Sequence, residues 1–339
     1  MLSFALLTCA LLVPSVLGSY DPIALEAELA EWKASRAGSI ARAHGFLKSD
    51  ADDELRRFYA TKMDIARLNV LHPNAHFSLD SPFTLLTVPE FAAYVRSSRP
   101  APRSNARTSD ANSTTVLPAT IDWTKKSSCV SAVQQQGNCG SCWAFATVLA
   151  LESATCLASP TNALVKLSEQ HLTSCDKASG NLGCQGGYPS KAIEYIAKNG
   201  LCRGKDYPYV SGTSGNDETC TATSCVPTRT TSLQSVAVPV GEASLQGAVA
   251  RQPIIVGVAA GNEEWKQYKS GILASCSTTD LDHAVVVVGY SDSANGAYWR
   301  IQNSWGVGWG DHGFMQLQRA ATLNGTCGVA SDASYPSLA

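Results

Sequence analysis

Residues Gln136-Gly137-Asn138-Cys139-Gly140-Ser141-Cys142-Trp143-Ala144-Phe145 place Cys142 at the entrance to an apolar run that continues to Cys156. Ala, Phe, Leu and Glu dominate that run and favour an α-helix from about Ser141. A cysteine on the first turn of a helix sits among unpaired backbone N–H groups, at the positive end of the helix dipole, where thiolate is favoured. A thiolate nucleophile also needs an imidazole to keep it ionised and to protonate a leaving amine, and a third group to orient that imidazole.

Three histidines follow Cys142: His171, His283 and His312. His283 stands in Leu281-Asp282-His283-Ala284-Val285, directly before valines 285–288, a run that reads as a buried strand. Further on comes Asn303-Ser304-Trp305-Gly306-Val307-Gly308-Trp309-Gly310. The Asn303 amide can accept the imidazole N–H, and Trp305 can shield that bond from water. His171 and His312 have no partner in any motif and read as structural or surface residues. Trp309 and its glycines read as packing and turn residues.

These three motifs, in this order, resemble those of papain-family cysteine proteases, and most closely the cathepsin L branch. The resemblance runs over nearly the whole chain. It implies a signal peptide over 1–18, an inhibitory propeptide over 19–116 and a mature enzyme over 117–339. The implied fold is α+β, a papain-like two-domain structure. Its N-terminal half (117–225) is mainly helical, its C-terminal half (226–339) is β-barrel-like, and the active-site cleft lies between them. It implies Cys142 as nucleophile, His283 as general acid and base, Asn303 as orienter, and Gln136 as oxyanion donor beside the Cys142 backbone N–H. For substrate it implies contacts from Gly186, Gly187, Tyr188, Pro189, Gly257, Leu281, Asp282, Ala284 and Trp305, with Asp332 at the floor of the main specificity pocket. Apolar walls suit Leu or Phe at P2, and a carboxylate floor adds Arg. No insertion with paired histidines follows Gly187, which favours endopeptidase action. An exopeptidase, or a non-catalytic papain-fold binding or inhibitor protein, is the rival reading.

The bulk of the sequence agrees with this. The chain has 339 residues, 45% of them hydrophobic and 16% charged, which describes a folded protein. A net charge of −2 gives no reason to expect nucleic acid or an anionic membrane as partner. Residues 1–18 form an apolar stretch ending in small residues, the pattern of a secretory signal. Of twelve cysteines, Cys9 lies there and eleven fall between Cys129 and Cys327. Eleven is odd, so in an oxidising compartment ten can pair and leave one reactive thiol. The resemblance implies Cys139 with Cys184, Cys175 with Cys220, and Cys276 with Cys327. Elimination and proximity then pair Cys129 with Cys156 and Cys202 with Cys225, the crossed pairings remaining open. The cysteine spacings do not read as a metal site, and no cofactor is implied. The implied partners are protein and peptide substrates, the chain's own propeptide and cystatin-like inhibitors, with a monomer as the assembly. The implied location is the secretory pathway, ending outside the cell or in a lysosome or vacuole.

Before the first motif, residues 21–69 carry apolar residues at helical spacing and read as two helices joined near Gly38–Gly45. Phe58, Ile65 and Asn69 match a helical propeptide motif of the family, but Thr61 replaces its usual Asn and Glu54 its usual Arg. Phe83, Thr87, Glu90 and Phe91 match a second motif, in which Leu85 replaces the usual aspartate. Residues 97–115 read as an exposed linker, and acid-triggered cleavage is expected between about Asn112 and Val116. Asn112 and Asn324 head glycosylation sequons.

Overall fold

Local signals set the N-terminal helices. In the computed structural model, which describes residues 21–95, 107–108, 116–221, 225–229, 232–293, 296–319 and 322–338, the Asp21 carboxylate caps α1 (Pro22–Ala34) by accepting from the Ile23 and Ala24 N–H groups. Ser35 caps α2 (Arg36–Ala43) through the Gly38 N–H. This corrects the expectation that Gly38 opens a link between two helices. A Cβ on Gly38 would lie 2.3 Å from the Trp32 carbonyl oxygen, so the glycine lets α2 turn closely against the end of α1. Asp50 caps α3 (Ala51–Leu71), whose acidic first turn complements the helix dipole. Strand β1 (Ala75–Phe77) and helix α4 (Val88–Val95) follow. The expected linker carries a two-residue strand, β2 (Arg107–Thr108). The signal segment, Asn112 and the rest of that linker lie outside the described residues.

The remaining chain opens with β3 (Thr120–Asp122) and α5 (Trp123–Lys126), then the helices α6 (Cys142–Ala158), α7 (Glu169–Cys175), α8 (Pro189–Asn199) and α9 (Ser211–Ser214). Gly200 ends α8 with φ of 75°. Next come β4 (Leu233–Val238), α10 (Glu242–Val249), β5 (Ile254–Val258), α11 (Glu263–Gln267), β6 (Tyr268–Leu273), β7 (His283–Ser293), β8 (Gly296–Gln302), β9 (Phe314–Gln318) and β10 (Ala333–Leu338). Among the described residues no helix is long and apolar enough to cross a membrane.

The strands form one sheet in the order β1-β6-β9-β8-β7-β5-β10-β4-β2, with β3 on β7. This corrects the barrel expected for the C-terminal half. The path is open, because its ends are β1 and β2, each with a single neighbour. Both end strands come from the N-terminal segment.

Strand β7 explains the valine run. Val285 and Val287 face the core that holds Trp265, Trp305 and Trp309, whereas Ala284, Val286 and Val288 face α6 and α8. A strand covered on both faces has no polar alternation. Disulfides join Cys129 to Cys156, Cys139 to Cys184, Cys175 to Cys220, Cys202 to Cys225 and Cys276 to Cys327. Cys142 stays outside them.

Candidate active site

Cys142 is the first residue of α6 and is fully buried. Cys139–Cys184 ties the loop before it to the Gly183–Gly187 segment, and the Gly140 N–H donates to the Cys184 carbonyl at 3.0 Å. A Cβ on Gly187 would lie 2.6 Å from the Trp143 ring, so only glycine lets this segment lie so close to α6.

His283 opens β7. Its Nε2 lies 2.8 Å from Asn303 Oδ1, and the Ser304 backbone N–H donates to the same oxygen at 2.7 Å. Oδ1 is therefore an acceptor, so Nε2 carries the imidazole hydrogen and Nδ1 keeps its lone pair. Nδ1 is buried and has no hydrogen-bond partner among the described residues. The Trp305 ring stacks on the imidazole with centroids 4.6 Å apart, and Trp265 meets it edge-on at 6.3 Å. Burial pushes the imidazole down to about 4, against the upward pull of the Asn303 bond.

Strand β7, which His283 opens, sends Ala284, Val286 and Val288 into the same apolar cluster as Cys142 of α6. Phe145, on the first turn of α6, lines a small cavity with Ala284, Asn303 and Ser304. Tyr94 packs on Trp305 with centroids 6.3 Å apart. Burial first, and then the charges of Tyr209 and Cys142, raise the pKa of its phenol.

Gln136 is buried beside them. Its Oε1 accepts from Ser304 Oγ at 2.7 Å, its Nε2 donates to the Cys139 carbonyl at 3.1 Å, and its backbone N–H donates to the Ser304 carbonyl at 2.9 Å. Tyr209 Oη donates to the Gln136 carbonyl at 2.7 Å. Ser304 and Tyr209 escaped the sequence reading. Ser304 sits inside a motif already quoted, whereas nothing local marks Tyr209.

Three residues expected in the pocket meet as well. A Cβ on Gly257 would lie 3.3 Å from Leu281 Cδ1 and 3.6 Å from Asp332 Oδ2. Ala284 pairs with Gly257 across β5 and β7. Asp282 turns to the Ala260 and Gly261 N–H groups. Tyr188 and Pro189 stand at the start of α8, on the helical half. The His171 Nδ1 accepts from the Cys202 N–H at 3.1 Å and its Nε2 lies 3.3 Å from Tyr195 Oη. That imidazole lies close to Cys202 and Cys225, but those two are joined to each other.

The N-terminal segment covers the site. Strand β1 pairs antiparallel with β6, and Phe83, Phe91 and Tyr94 pack on Trp305. Ser81 Oγ donates to the Lys266 carbonyl at 2.7 Å, and Lys266 Nζ donates to Thr61 Oγ1 at 3.2 Å. Lys266 is almost completely buried there, which pulls its ammonium down to about 8.

Residues 117–337 match the profile of a family described as papain family cysteine protease. The senescence-specific cysteine protease SAG12 of Arabidopsis thaliana is 37% identical over 311 residues, covering 87% of each chain. This chain belongs to the papain family. Among solved structures, the proform of the ragweed pollen allergen Amb a 11, a cysteine protease, superposes with a TM-score of 0.79 at 30% identity over 94% of both chains. The recombinant stem bromelain precursor superposes with a TM-score of 0.77 at 31% identity, over 94% of this chain and 99% of its own. The fold is thus papain-like, and the chain has the build of a zymogen. Residues 22–95, before the matched region, pack against it through β1 and the aromatic side chains on Trp305.

Proposed function

We propose that this papain-family zymogen matures to a cysteine endopeptidase in which Cys142, His283, Asn303 and Gln136 carry the chemistry. The observation behind this reading is the buried His283 Nδ1 lone pair, which has no hydrogen-bond partner among the described residues while Asn303 holds Nε2. In the proposed reaction Nδ1 takes the Cys142 proton. The sulfur then attacks the peptide carbonyl carbon, and charge develops on the carbonyl oxygen. The Cys142 N–H and the Gln136 amide donate to that oxygen, a contribution worth roughly 3–4 kcal/mol per donor in comparable sites. The imidazolium protonates the leaving amine, and water then releases the acyl group by the reverse sequence. Asn303 holds the ring in one tautomer throughout.

The decisive experiment is mass labelling with an epoxide inhibitor of thiol proteases. One adduct on the matured wild type and none on Cys142→Ala is the expected result. A matured wild type that takes no label would overturn the proposal.

The contact of Gly257, Leu281 and Asp332 supports a P2 pocket with apolar walls and one carboxylate. Asp332→Ala should lower cleavage after Arg-Arg by about tenfold or more while sparing Phe-Arg, since it removes a charge-assisted pair only from the former. Equal losses on both would remove Asp332 from the pocket. The reading also includes secretory targeting by 1–18, cleavage near Val116 and a glycan on the exposed Asn324.

A further inference from the structure

The helical half encloses a second cavity, of about 260 Å³, at the end of α6 away from Cys142. Leu151 of α6, Ile196 of α8, and Val165, Leu167 and Leu201 give it apolar walls, and Arg203 is its one charged lining residue. Leu167, Ile196 and Leu201 are buried, whereas Val165 is 40% exposed at the mouth. The α6 hydroxyl on this wall, Thr155, already donates to the Leu151 and Glu152 carbonyls. The walls therefore ask for apolar matter.

Arg203 adds a specific demand. Its backbone is pinned by a bridge to Leu167 and by the Asp206 and Tyr207 N–H groups, which donate to its carbonyl. Its side chain is exposed, and none of the ion pairs among the described residues uses its guanidinium. A guanidinium with no ion pair at the edge of an apolar hollow is suited to bidentate recognition of a carboxylate. The volume accepts a body of about ten to fifteen non-hydrogen atoms, near the lower end for ligand pockets.

We propose that this cavity is a binding site for a small amphipathic carboxylate, with an aromatic or short aliphatic body among Leu151, Ile196 and Leu201 and its carboxylate on Arg203. It is separate from the propeptide contacts and from the residues around Cys142.

The test is titration of the intact proenzyme at neutral pH with 4-phenylbutyrate and with the uncharged 4-phenylbutanol, followed by ligand-observed NMR. Saturable binding of the acid is expected, with Kd on the order of 0.1–1 mM for a ligand of this size. Arg203→Gln should weaken the acid by about tenfold and leave the alcohol unchanged. Ala163→Trp, at an exposed lining position, should block both ligands, and Val165→Trp gives a second plug should the first disturb the melting transition. No saturable binding in the low millimolar range would overturn the proposal. So would binding that survives both plugs, or an Arg203→Gln loss shared equally by acid and alcohol.

Discussion

One hydrogen bond settles the division of labour within His283. Because Asn303 Oδ1 already accepts from the Ser304 N–H, it takes the imidazole hydrogen on Nε2, and Nδ1 keeps the lone pair that the proposed reaction uses. Ser304 acts on the other side too, since its hydroxyl holds Gln136 Oε1 and thereby sets where the Gln136 amide nitrogen points. Gln136→Ala should lower kcat by roughly 10²–10³ with little change in KM, because its donor acts on charge present only in the transition state. Steady-state kinetics on a peptide reporter checks this, and a rise in KM at constant kcat would assign Gln136 to substrate binding instead. Cys142, His283 and Asn303 could be put forward from the sequence because each sits in a short motif with its own chemical logic. Tyr209 was not, because its bond to the Gln136 carbonyl joins residues far apart in the chain and depends on tertiary packing.

Helices α1 to α4 show how departures from a motif are absorbed. Glu54, where the family has arginine, is buried but not stranded: it pairs with Lys33 and accepts the Lys48 N–H at 2.9 Å. Leu85, where an aspartate is usual, is fully buried in the apolar core. Arg57 pairs with Asp53 and Glu90 and donates to the Leu85 carbonyl at 3.3 Å. The sequence exposed these departures, but not the partners that compensate for them, which come from other helices. The consequence concerns acid activation. Burial alone would raise Glu90, yet the Thr87 N–H, Arg57 and Lys48 outweigh it and hold the carboxyl down to about 2. A depressed carboxylate contributes its full stability above its unfolded value, near 4.5, and loses it progressively as pH falls from there to about 2. The Glu90 cluster therefore persists in mild acid. His44, after α2, behaves oppositely: burial lowers its pKa, and its Nε2 lies 3.4 Å from the Gln135 amide nitrogen, which needs an acceptor. A docked state that keeps this imidazole neutral weakens as pH falls from 6.5 through the lowered value. His44→Gln should thus shift processing to lower pH, whereas Glu90→Gln should weaken docking at every pH. N-terminal sequencing across a pH series reads both, and an unchanged profile for His44→Gln would place the trigger elsewhere.

Across the whole molecule, the N-terminal segment completes the sheet at both ends, with β1 on β6 and β2 on β4, and it seals the aromatic cluster around Trp305. Phe83 and Phe91 are almost fully buried, each worth about 1.5–3 kcal/mol from area alone, shared between docking on Trp305 and packing within their own segment. Against this stands Lys266, an ammonium enclosed beneath Thr61 and Ser81. Burial lowers it from 10.5 to about 8, and Asp64 and Glu263 only partly compensate. The sign follows from proton binding. The docked state binds fewer protons than a solvated lysine between about 8 and 10.5, so docking should strengthen as pH rises through that window. Below pH 8 the amine is charged whether docked or not, and the penalty is constant. Lys266→Met keeps the apolar stem and removes the charge, so it should tighten docking at pH 7 by roughly tenfold to a hundredfold and flatten the alkaline dependence. The rate of epoxide labelling of Cys142 in uncleaved proenzyme, divided by that of the mature enzyme at the same pH, measures the undocked fraction. Equal ratios for wild type and Lys266→Met at pH 7 would mean that the ammonium finds full compensation within the interface, and that Lys266 does not oppose docking.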